Sequence, residues 1–139
     1  ISPRAYAEFW YPYQDPILHM LRSHGVPVIC EWSSGYFSQF LPGMLEHGFN
    51  CLWPMEVMAG MDATVLRRRH GQGLRFAGNI AKEAVIAGPK AIDVEIDRLM
   101  PLIREGGFLP GLDDMVSPDM PFSHYRHLIE RLQDIHLDG

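Results

Sequence analysis

Cysteine is nearly absent from this chain: Cys30 and Cys51 are the two among 139 residues. Both sit in apolar runs, where a free thiol behaves as a small buried hydrophobe, so no disulfide framework is expected. Positive charge is also scarce. Twelve Lys and Arg stand against 17 Asp and Glu, a net charge of −5, the wrong sign for a general nucleic-acid binder. The one basic run, Arg67-Arg68-Arg69-His70, reads as the exposed end of a helix, where cations suit the dipole. No apolar run is long enough to span a bilayer, and none reads as a secretory leader. Neither nucleic acid nor membrane is therefore an expected partner, and a reducing cytoplasm is the expected compartment. The chain opens on Ile1 rather than Met and is read as a piece of a longer product or a processed chain.

Two signatures are missing as well. No glycine-rich dinucleotide fingerprint follows the first strand-like run, and Gly71-Gln72-Gly73 precedes a strand and lacks the third glycine. Seven histidines are present. His124 and His127, three apart, have no zinc motif around them, and the histidines read as surface or helix-end residues.

What remains is a chain with 47% hydrophobic and 21% charged residues, ordinary for one soluble domain over residues 1–139. A chain of this length buries roughly 70% of its unfolded surface. Four short apolar runs bounded by Gly or Pro read as buried strands: 26–30, 50–54, 74–78 and 107–110. Helical spacing fills the intervals. Pro12 to Ser23 closes at Gly25. Phe37, Phe40, Leu41 and Met44 form a stripe that ends at Gly48. Asp62 starts a helix carrying Val65 and Leu66. A longer stripe from Ala91 to Ile103 stops at Gly106, with Pro101 expected to kink or split it. A last helix runs from about Pro121 to Gln133.

Strand–helix alternation implies parallel strands with right-handed crossovers. The reading is α/β, with about four parallel strand–helix units: either a doubly wound sheet or half of a (β/α)₈ TIM-type barrel, since a whole barrel takes about 250 residues.

In both architectures a site lies at the carboxyl ends of the strands, and each end here carries polar residues. They are Glu31-Trp32-Ser33-Ser34-Gly35, Met55-Glu56, Asn79 with Lys82, and Asp113-Asp114. Ser34 alone reads as a helix cap. Glu56, between Met55 and Val57, is expected to be a buried carboxylate with a raised pKa and is the leading candidate. Asp113 and Asp114 read as a turn or as a site pair. Lys82 reads as a contact for an anionic substrate group or as a residue of the next helix's first turn.

The runs GFNCLWPMEVMAGMD, RRRHGQGLRFAGNIAKEAVIAG and GGFLPGLDDMVSPDMPFSHYRHLIERL resemble, in that order, the C-terminal half of the uroporphyrinogen decarboxylase superfamily. The opening ISPRAYAEFWYPYQ is similar to the segment that leads into that barrel's fifth strand. The resemblance covers essentially the whole chain and about half of a typical member. It implies a (β/α)₈ barrel and the activity of a porphyrinogen decarboxylase or a cobalamin-dependent methyltransferase. In methyltransferases of this group a His-x-Cys-Gly motif and a later Cys hold zinc. Here Trp32 and Ser34 replace the His and the first Cys, and Leu112 and Asp113 offer no second Cys. Glu56 and Lys82 match the family pattern at the barrel mouth.

The expected function is therefore the C-terminal portion of a uroporphyrinogen decarboxylase-like enzyme, closest to methyltransferase-like members. Glu56, Asp113 and Asp114 would be catalytic, managing protons or holding a metal. Trp32, Ser34, Asn79 and Lys82 would contact a small-molecule substrate. A divalent metal or a corrinoid partner protein is the expected cofactor. A porphyrinogen-type decarboxylase, a lyase, is the second reading. A non-catalytic half-barrel that pairs with itself, or with a missing N-terminal half, is the third.

Overall fold

The structure, a computed structural model, describes residues 1–136. Two helices lead in, α1 (Pro3–Phe9) and α2 (Tyr11–Ser23). Then come β1 (Cys30–Ser33), a short 3₁₀ turn (Ser38–Phe40), α3 (Leu41–His47), β2 (Cys51–Pro54), α4 (Ala63–His70) and β3 (Arg75–Ile80). The chain continues through α5 (Lys82–Ala87), α6 (Pro89–Glu105), β4 (Phe108–Leu112) and α7 (Phe122–Gln133). All three strand pairings are parallel, in the order β1-β2-β3-β4. The α/β alternation legible in the sequence is thus present.

That strand order carries a consequence. Right-handed crossovers that always step in one direction place every helix on the same face of the sheet. A doubly wound sheet needs a reversal of order, which the four described strands do not have. The burial pattern agrees. Leu52, Phe76 and Ile80 point into the helical layer and join one core with Leu18, Leu41, Leu66, Val85, Ile96 and Leu128. The register sets Cys30 beside Cys51, Trp32 beside Trp53 and Ala77 beside Leu109 on the opposite face. No helix covers that face among the described residues, and Trp32, Trp53 and Leu109 remain exposed there.

Several boundaries differ from expectation for local reasons. The first strand begins at Cys30, not Val26. The Asn50 side chain takes the place of the ladder at the strand entry, accepting from Ile29 N and donating to the Pro27 carbonyl at 2.8 and 2.9 Å. β3 and β4 each run two residues further than expected. Pro101 does not split α6, which is one helix of 17 residues. Helix α1, which the spacing does not announce, is capped by Ser2. Cys30 is exposed rather than buried, because its side chain is on the uncovered face of the edge strand β1, whereas Cys51 beside it on the inner strand β2 is buried as expected.

The basic run is corrected at one residue. Arg68, Arg69 and His70 are exposed, but Arg67 is buried. Its guanidinium lies over the Phe76 ring and donates to the carbonyls of Gly106 and Gly107 at 3.1 and 3.2 Å. Those carbonyls follow the end of α6, so Arg67 ties α4 to the entry of β4.

Candidate active site at the carboxyl ends of the strands

The loops after β1, β2 and β3 are tied together by two carboxylates. Glu56 accepts from Gly35 N at 2.7 Å, linking the loops after β1 and β2. Asp113, one residue past β4, accepts from Val57 N and Lys82 N, each at 2.9 Å. Asp113 is buried, and this desolvation pushes its carboxyl up from 3.8, against the two N–H donors that favour the charged form. A shallow cleft of about 320 Å³ opens here, lined by Glu56, Met58, Ala59, Lys82, Glu83 and Asp113.

Glu56 does reach the cleft, but it is half-buried rather than buried. Met55, fully buried at φ 66°, turns the chain in the left-handed region, and the next residue leaves the core. Lys82 is the first residue of α5 and its Nζ pairs with Asp114. The hydrogen bond from Lys82 is the main reason the Asp114 carboxyl lies below its usual value, and the same bond holds the Lys82 amine above its own. The lysine expected to meet a substrate anion already has an anion.

The other expected contacts separate. Asn79 is fully buried at φ 62°, so its amide turns away from the uncovered face. The amide donates to the carbonyls of Met55 and Met61 at 2.8 and 2.6 Å and accepts from Ala63 N at 3.1 Å. It is a strut beneath the site and not a substrate contact. Ser34 is exposed beyond β1, and the next helical turn is capped at Phe37 without a side-chain bond, so Ser34 is not its cap. Trp32 lies on the uncovered face with its ring centroid 6.4 Å from that of Trp53.

Two supporting residues, Glu95 and Arg98, were not singled out from the sequence, and Glu31, read there as a strand-end residue, has a structural role. Glu95 on α6 accepts from Ala81 N at 3.1 Å and from Arg98 at 2.6 Å, and Arg98 donates to the Asn79 carbonyl at 2.8 Å. This network holds the end of β3 from behind. Glu31 is buried on the helical face and accepts from the Tyr6 hydroxyl at 2.8 Å. Burial raises the Glu31 carboxyl, while that hydroxyl opposes the shift. Strand alternation alone separates Glu31 from Trp32, and it was the available signal for both.

The residues do not fit the zinc site that the resemblance implies. Trp32 and Ser34 supply neither imidazole nor thiolate, and among the described residues no three His, Cys, Asp or Glu side chains converge to hold a metal ion. The cleft can exchange a proton through Glu56 and present a fixed Lys82–Asp114 pair to a ligand. No protein-family model matches the chain, and no curated protein matches it.

Proposed function

We propose that this chain is the C-terminal half of a uroporphyrinogen decarboxylase-like (β/α)₈ barrel, of the methyltransferase-like kind, with its site at the strand-end cleft. The observation that supports this most is the one-directional parallel sheet, whose strand-end loops are joined by Glu56 and Asp113. That is where a barrel enzyme carries its chemistry. In this reading Glu56 exchanges a proton with a small-molecule substrate, and Asp113 positions the loops that shape the cleft. A corrinoid-carrying partner would supply or receive the methyl group.

The charge of the cleft separates this reading from a decarboxylase. Its lining holds three carboxylates and one amine, and Asp114 neutralises the amine. A porphyrinogen with many carboxylates would meet repulsion there. A neutral or cationic methyl donor or acceptor would not.

The test is methyl transfer between methylcobalamin and small thiols or amines, followed by corrinoid absorbance, on the chain and on the longest product containing it. The expected result is transfer that falls about a hundredfold or more in Glu56→Gln, a typical size for losing a proton-transfer group. Carbon dioxide release from a porphyrinogen, without methyl transfer, would instead establish the decarboxylase.

A further inference from the structure

We propose that Cys30 and Cys51, with Arg75 beside them, form a modification site: a cross-strand dithiol that hydrogen peroxide oxidises to a reversible disulfide. This goes beyond the catalytic reading and does not depend on it.

The sheet register brings the three residues into one row. Cys30 on β1 is paired with Cys51 on β2, and Cys51 is paired with Arg75 on β3. Residues paired in register project from the same face of a sheet, so the three side chains stand side by side on the face away from the helices. Each is the first residue of its strand. The row therefore lies at the opposite end of the sheet from the Glu56–Asp113 cleft. The register is set within the described strands, so the row is the same whatever else lies against that face.

Spacing and charge both suit a dithiol. Registered Cα atoms of neighbouring strands stand about 4.8 Å apart, inside the ~4.4–6.8 Å that a disulfide spans. Cβ atoms that project in parallel keep about that spacing, wider than the ~3.8 Å of a relaxed bridge. The bond would carry strain and reduce readily, which suits a reversible mark and not a bridge that holds the fold. Hydrogen bonding with Cys30 is the main reason the Cys51 thiol lies below its ordinary 9.0, and the Arg75 charge acts in the same direction, against burial. The same hydrogen bonding, together with burial, raises Cys30. Of the pair, Cys51 is the one that ionises and Cys30 the one that keeps its proton. The Cys30 sulfur also lies 3.7 Å from the Glu31 carbonyl, a second acceptor for that proton.

These states order the chemistry. The Cys51 thiolate attacks one peroxide oxygen, the O–O bond breaks and hydroxide leaves, so Cys51 becomes a sulfenic acid. The Cys30 sulfur then displaces the sulfenic oxygen and forms the S–S bond, and the Cys30 proton leaves with that oxygen as water. In total two thiols and one peroxide give one disulfide and two waters. Cys51 is only 7% exposed, so the oxidant must be scarcely larger than water, as peroxide is.

The experiment treats the 139-residue chain, and the longest product containing it, with hydrogen peroxide and follows both thiols by peptide mass. The expected result is one intrachain Cys30–Cys51 bridge, opened again by dithiothreitol. The same chain in urea, where no register holds the sulfurs together, should bridge at least about tenfold more slowly. Cys30→Ser should stop at a sulfenic acid on Cys51, captured by dimedone. Arg75→Gln should slow the first step about twofold or more with circular dichroism unchanged. Thiols that survive peroxide in either folded protein would overturn the proposal. So would bridges between chains, or equal rates in the folded and unfolded chain.

Discussion

At the residue scale, Glu31 and Asp113 show how burial changes what a carboxylate does. The Glu31 carboxyl is raised above 4.5 by burial, against the Tyr6 hydrogen bond. The folded state then binds this proton more tightly than the unfolded chain. Stability contributed at this site is therefore lost as pH rises from the unfolded value through the folded one. The wild-type unfolding free energy minus that of Glu31→Gln should fall as pH rises above 4.5. Urea titrations of both proteins from about pH 4 to pH 8 measure it, and a pH-independent difference would contradict the burial account. Asp113→Ala leaves the N–H groups of Val57 and Lys82 without their acceptor. The expected cost is about 1–3 kcal/mol, read as a lower urea midpoint. Asp113 was legible as a site candidate because two acidic residues followed a strand. Its backbone partners, 56 and 31 residues away, were not.

At the scale of single elements, the arginine run separates a helix end from a tether. Arg68→Ala should change stability by no more than about 0.5 kcal/mol, as for an exposed site. Arg67→Ala should cost about 2 kcal/mol or more, because it leaves the carbonyls of Gly106 and Gly107 without their donor and removes packing on Phe76. Equal midpoints for the two variants would refute this. Helix α4 begins at Asp62, whose Oδ1 accepts from Thr64 N and Val65 N at 2.7 and 3.3 Å. That cap was readable from local chemistry alone. The middle of β3 was not. Gly78 has φ 92°, and a Cβ there would come within 2.2 Å of the Pro54 carbonyl oxygen. Gly78→Ala should prevent β2 and β3 from pairing and yield an unfolded or insoluble chain. Gly71→Ala, at φ 69° with open space around it, should remain folded and lose about 1 kcal/mol to strain.

For the molecule as a whole, the one core shared by the sheet and its helical layer governs stability. Leu52→Ala and Ile96→Ala, on opposite sides of that core, should each cost about 2–5 kcal/mol, read as a lower urea midpoint. Val94→Ala, on the exposed side of α6, should cost no more than about 0.5 kcal/mol, and equal midpoints for the Ile96 and Val94 variants would contradict this placement of the core.

Periodicity, Gly and Pro punctuation and chain length determined the α/β class, the four strands, most helix ends and the rim on which polar residues gather. These depend on neighbours within a few residues, and one sequence contains them. The winding direction, the uncovered face, the burial of Arg67, the inward turn of Asn79 and the neutralisation of Lys82 by Asp114 were decided by tertiary structure. Each depends on a partner brought near only when the strands align. Asp114 lies 32 positions beyond Lys82, and no local pattern fixes that meeting before the sheet does.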